Sequence, residues 1–220
     1  MAGYKAHMAF GIITGLCWTV IAFLLSLVSA WFIPLIFILT VVGSFLPDLD
    51  SDTGMPLKFL LTVVSIIGSI IIVFTVLNQK DYSSIQLIGA PIITGLFIYY
   101  IIGGIFKKIT HHRGIFHSIP AAILTSLMAL TFLNIFELDT NLKISLSLSL
   151  GFGYLCHLIL DELNSAVNLG GTLFIPNKSL GTALKLFSKN WKITLFVYSA
   201  IGFLLFENFD LILNFIKQAL

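Results

Sequence analysis

Long apolar runs constrain the fold of this chain more than any other feature. A transmembrane helix needs about 20 apolar residues, and seven stretches satisfy or approach that length: Met8–Ala30, Trp31–Leu46, Leu57–Leu77, Ile85–Phe106, Ile115–Phe136, Leu142–Leu160 and Ile193–Leu213. The chain has a mean hydropathy of +1.03 and only 10% charged residues, which excludes a water-soluble domain. The sequence predicts an all-α, polytopic integral membrane bundle of about seven transmembrane helices.

We expect one membrane-embedded domain over residues 1–220. Residues 1–163 would form a six-helix bundle, residues 164–192 the one long connection, and residues 193–213 the last transmembrane helix. Short polar turns separate most of the other runs, as is usual for neighbouring antiparallel helices.

The first run and the two cysteines exclude two other interpretations. Met8–Ala30 is longer than the roughly 7–15-residue apolar core of a cleaved signal peptide, so we expect it to be retained. Cys17 and Cys156 lie within apolar runs, which argues against a disulfide framework. Cys156 adjoins His157, but successive helical residues point about 100° apart, so we do not expect it to be a metal ligand.

The histidines and the ligand-like carboxylates all fall on one side of the predicted membrane. His7 precedes the first run, Asp48 and Asp50 end the second, His117 precedes the fifth, and His157 begins the motif that closes the sixth. An even number of crossings returns each cluster to the same face. Residues far apart in sequence are therefore predicted to meet there, as metal ligands must.

The basic residues predict the orientation of that face. Nine of the twelve lysines and arginines lie on the His7 side, and the positive-inside rule makes that side cytoplasmic. We therefore expect a multi-pass protein of the cell membrane with its site facing the cytoplasm. A net charge of +2 is too small and too scattered to indicate nucleic-acid binding.

The strongest chemical motif joins His157 and Asp161. A spacing of four residues places imidazole and carboxylate on one helical face, and Asn164 extends that face. Charge buried at the end of an apolar run is costly unless it is paired or bound to a cation. The pair is either a set of metal ligands or a hydrogen bond that ties down the helix end.

A second motif reads His111-His112-Arg113-Gly114-Ile115-Phe116-His117-Ser118. A turn at Gly114 would let His112 and His117 converge as ligands. Arg113 offers a planar, permanently charged group suited to phosphate or carboxylate, although it could instead anchor the chain at the membrane edge. Ser118 either orients a ligand or caps the next helix.

The acidic turn and the N-terminal histidine complete the candidate set. Asp48, Asp50 and Asp52 would repel one another unless a cation lay between them; Asp48 and Asp50 are the predicted ligands, and Asp52 is assigned to a solvated turn or a helix cap. Gly11 and Gly15 follow His7 on one face and would allow close helix packing. That packing would draw His7 inward.

Together these motifs supply seven candidate ligands. Mixed imidazole and carboxylate ligation suits zinc, with manganese or iron as alternatives, and one or two ions could be held. The ligands are His7, Asp48, Asp50, His112, His117, His157 and Asp161.

Lys178–Lys192 is predicted to be an interfacial amphipathic helix that binds anionic lipid headgroups. Its apolar face would consist of Leu180, Leu184, Phe187 and Trp191. Ordinary positive charge before the last membrane span is the alternative.

In this order, the motifs resemble the YdjM-like family of membrane-bound, metal-dependent hydrolases. The resemblance covers residues 5–178 and departs from the family pattern at Phe116 and at Asn164-Ser165, where members often have threonine and Thr-Pro. It rests on His7, Pro47-Asp48-Leu49-Asp50, His112-Arg113-Gly114, His117-Ser118 and His157 with Asp161, followed by Leu163-Asn164, Gly170-Gly171 and Phe174-Ile175-Pro176. A fainter similarity connects the pattern to zinc-dependent phospholipase C and S1/P1 nucleases.

We therefore expect a hydrolase that cleaves a membrane lipid, at a phosphoester, with metal-activated water. Asp50 would bridge metals or act as the general base, and Arg113 would hold the substrate anion. The alternatives are an intramembrane zinc amidase of the ceramidase type and a non-enzymatic metal-binding or transport protein.

Overall fold

The computed structural model describes residues 4–50, 55–79, 81–105, 117–167, 180–188 and 190–219. Over these residues the chain is helical and contains no strand beyond one isolated bridge, which confirms the all-α prediction. The chain divides into two compact units, described separately below: Met1–Pro47 together with Ile115–Leu220, and Asp48–Gly114. The predicted single domain stays a prediction.

The helices are numbered in chain order over the described residues. They are α1 (Tyr4–Leu24), a 3-10 turn (Ala30–Phe32), α2 (Ile33–Gly43), a 3-10 helix (Leu46–Asp50), α3 (Met55–Leu77), α4 (Ser84–Leu96) with a π-helical turn (Phe97–Ile102), α5 (Ile119–Leu133), α6 (Thr140–Val167), α7 (Trp191–Glu207) and α8 (Phe209–Ala219).

Helix α6 is the central element of the first unit and packs against α1, α2 and α5. At one level Leu142 and Leu146 of α6 pack with Ala22 and Ile36. Further along α6, Tyr154 packs with residues at the start of α5. These buried apolar side chains pack α1, α2 and α5 around α6.

Two glycines bring α2 and α6 into direct backbone contact. A Cβ on Gly43 would collide with the carbonyl oxygen of Leu150, and one on Gly153 would collide with that of Thr40. Small residues at helix contacts allow such close approach in membrane proteins. The contact places Ser44, at the end of α2, beside α6.

Fewer of the described helices have the length and hydropathy of a membrane span than the seven that the sequence predicts. Four described helices are long and apolar enough to cross a membrane, or five if α7 and α8, which are bent by 62°, count as one span. Helices α2 and α5, with 11 and 15 residues, extend only about 17 and 23 Å, against about 30 Å of hydrocarbon. The predicted seven is not confirmed.

Both ends of the chain show where the predicted spans were too long. Helix α1 ends at Leu24, before Ser26 adopts a positive φ of 51°, whereas the predicted first run extends to Ala30. The last run is broken at Asn208, which is buried and whose side-chain amide donates to Thr131 and accepts from Asn134. These polar contacts hold α7 and α8 at their bend.

The prediction of an interfacial helix over Lys178–Lys192 is wrong for residues 180–188, because these residues form turns and bends. Tertiary hydrogen bonds explain the difference. The Glu162 carboxylate accepts from the backbone N–H groups of Gly181 and Ala183, and the Lys185 carbonyl accepts from Ile119. Gly181 also has a φ of +78°, outside the helical region.

The second unit contains α3 and α4. Ser83 begins α4 with a reciprocal capping box, since its side chain accepts from the Gln86 N–H and its own N–H donates to the Gln86 side chain. Ser69 of α3 donates to the Pro91 carbonyl of α4 at 2.8 Å. This bond ties the two helices together within the unit.

Candidate metal centre

Helix α6 places His157 and Asp161 on one face, as their spacing predicts. The distance from His157 Nε2 to Asp161 Oδ2 is 3.6 Å, and both residues are only 1% exposed. Asp161 directly follows the apolar run Leu142–Leu160. The carboxylate is therefore buried at the end of that run, where an uncompensated charge would be costly.

Helix α1 brings His7 to the same carboxylate from its first turn. His7 Nε2 lies 3.3 Å from Asp161 Oδ1, and its ring stacks on His157 with centroids 3.8 Å apart. Gly11 packs against Ser44, and Gly15 against the side chains at the centre of α2. The prediction that small residues draw His7 inward is confirmed, because His7 is only 2% exposed.

His117 joins the cluster from the residue before the N-cap of α5. Its Nε2 lies 3.7 Å from Asp161 Oδ2, and its ring meets His157 edge-on with centroids 5.7 Å apart. Ser118 caps α5, because its hydroxyl accepts from the Ala121 N–H at 3.3 Å. Of the two roles considered for Ser118, the structure therefore shows the helix cap, which fixes the chain direction at His117.

A backbone carbonyl fixes the tautomer of His157. Its Nδ1 lies 2.7 Å from the Ser44 oxygen, and a carbonyl can only accept, so Nδ1 carries the proton and donates. In the neutral imidazole Nε2 then presents its lone pair towards Asp161. Histidine ligands in metal sites are commonly oriented in this way by a hydrogen bond from their other nitrogen.

The spacing of His117, His157 and Asp161 is close to that of ligands around one cation. Metal–ligand bonds of about 2.0–2.2 Å in a tetrahedron separate two ligand atoms by roughly 3.3–3.6 Å. The distances from Asp161 Oδ2 to the Nε2 atoms of His117 and His157 are 3.7 and 3.6 Å. His117, His157 and Asp161 form one group whose ligand atoms lie within 4.8 Å of one another.

The residue types of the cluster suit a divalent cation. Three imidazoles lie buried against one carboxylate, and imidazole nitrogen and carboxylate oxygen are ligands of zinc, manganese and iron. The buried cluster could therefore hold a metal ion.

The remaining predicted site residues belong to the second unit or lie outside the described residues. Asp48 lies in the 3-10 helix Leu46–Asp50 and is the first residue of the second unit. Asp50 ends that helix, but its side chain lies outside the described residues. The same holds for every atom of His112 and Arg113, and for His111 and Asp52. The roles of these residues stay predictions.

Two residues outside the predicted ligand set support the cluster and its surroundings. Ser44 acts through its backbone carbonyl, which no side-chain motif can reveal. Glu162 adjoins Asp161 and binds the segment 180–188; a charged residue next to the motif was its only signal. The cysteines agree with expectation, because both are free thiols.

The fold and the site define a class of protein. It is a helical membrane protein whose described residues include four or five helices able to cross a bilayer and a buried His/Asp cluster that could bind a metal ion. A comparison with protein-family models matches residues 1–216 to the YdjM inner membrane protein family. The chain belongs to that family.

Other comparisons add nothing to this assignment. Searches of curated proteins and of solved structures found no match. The fainter similarity to zinc-dependent phospholipase C and S1/P1 nucleases stays a prediction.

Proposed function

We propose that this protein is a multi-pass membrane hydrolase that uses bound metal to cleave a lipid, at a phosphoester, on the cytoplasmic face. One observation carries the proposal: three histidine Nε2 atoms surround a single buried carboxylate at the separations of shared metal ligands.

His117, His157 and Asp161 would hold zinc with three protein ligands, the number that leaves a fourth position for water or substrate. Asp161 Oδ1 faces His7, while Oδ2 faces the other two histidines. That arrangement would also permit a carboxylate to serve two ions. Zinc suits this donor set best, and manganese or iron would be alternatives.

A second carboxylate would provide a ligand for the second ion, because Asp161 alone cannot balance the charge of two divalent cations. We assign Asp48 to that ion, because it follows the buried Pro47 and lies only four residues after Ser44, whose carbonyl accepts from His157. His112 and Asp50 complete the proposed set.

A metal held at this position would supply Lewis-acid chemistry, polarising a phosphoryl oxygen and lowering the pKa of water. Asp50 would either bridge the ions or accept the proton released from water. Arg113 would bind the substrate anion through its guanidinium group. Lysines of Lys178–Lys192 would attract anionic lipid headgroups to the rim of the site.

The depth of the cluster supports a lipid substrate over transport. His7 lies in the first turn of α1, and His117 precedes α5. Transport sites usually lie near the bilayer midplane, between broken helices. A cluster at the helix ends would meet a lipid where its headgroup joins its acyl chains.

A lipid-product assay tests the proposed reaction. The full-length protein in vesicles of mixed phospholipids, supplied with zinc, should release phosphorylated headgroups detectable by mass spectrometry. Asp161→Asn and His157→Gln should abolish release, while Glu207→Gln, on exposed α7 surface, should retain it. Fatty-acid release from ceramide added to the vesicles, in place of headgroup release, would overturn the phosphoester assignment in favour of an amidase.

A further inference from the structure

An apolar cavity of about 330 Å³ lies in the first unit between α1, α5 and α6. None of the sequence motifs accounts for it. Its main walls are the side chains of Trp18, Ile123, Leu127, Leu148, Phe152 and Leu155.

The polar groups of the cavity wall are already used elsewhere. Trp18 Nε1 donates to Ser149 Oγ at 2.9 Å, and Ser126 Oγ donates to the Ser147 carbonyl at 3.1 Å. A cavity lined almost wholly by carbon offers too few hydrogen-bond partners to hold water. Its contents must therefore be apolar.

The cavity lies between the same helices that position the His/Asp cluster of His7, His117, His157 and Asp161. At 1.5 Å per residue, Leu155 and Leu148 lie about 9 and 20 Å along α6 from Asp161. On α5, Leu127 lies about 15 Å from His117 by the same measure. The cavity thus occupies the depth of an acyl chain whose headgroup lies at the cluster.

The cavity opens on the surface that faces membrane lipid. Ile123 and Leu148, at its rim, are 43% and 46% exposed and lie on apolar helices of an inner membrane protein. A methylene group fills close to the roughly 30 Å³ of a water molecule, so the cavity accommodates about ten methylenes. That is most of one acyl chain.

We propose that this cavity binds one acyl chain of the lipid substrate and so holds the headgroup linkage at the metal cluster. The inference rests on the proposed function, because it assigns to that site a substrate with a long hydrocarbon chain.

Photo-crosslinking of lipid tests the cavity directly. The full-length protein is placed in nanodiscs of phosphatidylethanolamine and phosphatidylglycerol that contain a phosphatidylglycerol with a diazirine halfway along one acyl chain. After illumination, mass spectrometry should locate the label on cavity residues, chiefly Phe152 and Leu155. Label spread evenly over the exposed helix faces would overturn the proposal.

A matched pair of variants on α5 gives the control. Ile123→Trp narrows the cavity and should lower its labelling severalfold, because the larger ring occupies space that the acyl chain would fill. Met128→Trp lies on the same helix, is 58% exposed and does not line the cavity, so it should label as wild type. Equal labelling in both variants, with normal metal content, would refute the inference.

A variant of the metal cluster separates this inference from the hydrolase proposal. Asp161→Asn leaves the cavity walls unchanged, so cavity labelling should persist although catalysis is lost. If the wild-type protein labels at the cavity but releases no lipid product, the hydrolase proposal fails while binding of the chain stands. Loss of cavity labelling in a folded Asp161→Asn protein would contradict the proposal that the cavity binds the acyl chain independently of Asp161.

Discussion

The contact between α2 and α6 predicts that one added methyl group weakens metal binding without touching a ligand. Gly153→Ala would place its Cβ 2.8 Å from the Thr40 carbonyl carbon and 3.0 Å from the Ser44 nitrogen. Ordinary contact begins near 3.4 Å. Helix α2 must therefore withdraw by at least about 0.6 Å, and further to clear the Thr40 oxygen.

That withdrawal acts on the hydrogen bond that orients His157. A bond of 2.7 Å from Nδ1 to the Ser44 carbonyl would lengthen to about 3.3 Å, beyond the usual limit of about 3.2 Å. Loss of such an orienting bond typically lowers metal affinity by about 10–100-fold. Overpacking should lower the free energy of unfolding by about 1–3 kcal/mol. The higher helix propensity of alanine than of glycine should restore roughly 0.5–1 kcal/mol of it.

Zinc titration against a competing chelator, with the protein in detergent, measures the first effect, and denaturant unfolding measures the second. Gly202→Ala is the matched control, because a Cβ there meets nothing within 4 Å. It should retain zinc affinity and gain up to about 1 kcal/mol. Wild-type zinc affinity in a folded Gly153→Ala protein would refute the link between helix packing and the site.

Three further predictions concern contacts away from the ligands. Glu162→Gln should speed limited proteolysis within the segment 180–188, because the charge-assisted hydrogen bonds to Gly181 and Ala183 are lost. The control Glu207→Gln should be cleaved at the wild-type rate, and equal cleavage rates in the two variants would argue against a role for Glu162 in holding this segment. Asn208→Leu should lower the free energy of unfolding by about 1–3 kcal/mol, since it removes the buried amide contacts at the α7–α8 bend; an unchanged denaturation midpoint would contradict that role. Trp18→Phe keeps an aromatic ring but loses one hydrogen bond, and should cost about 0.5–1.5 kcal/mol in the same assay; no loss would mean the bond contributes nothing net.

The centre of the site was predictable because its signals are local in sequence. The spacing of four between His157 and Asp161 is fixed by helix geometry, and the small residues after His7 report close packing. Counting membrane crossings then predicted correctly that His117 lies at the same end of the first unit as those residues. The structure confirms that convergence.

The parts that sequence did not predict depend on tertiary contacts. Hydropathy does not show that Asn208 finds partners inside the protein and breaks the last run. The amphipathic pattern of residues 180–188 is overridden by the carboxylate of Glu162 and by the positive φ of Gly181. A backbone contact such as Gly43 against Leu150 has no sequence signature beyond glycine itself.

Metal content tests the central claim most directly. Elemental analysis of the full-length protein, purified without chelators and corrected for protein concentration, should find at least one equivalent of a divalent metal, with zinc expected. His157→Gln and Asp161→Asn should each lose that metal, while Glu207→Gln should keep it. Wild-type protein that stays free of metal after incubation with zinc, or variants that bind it as tightly as wild type, would contradict the account.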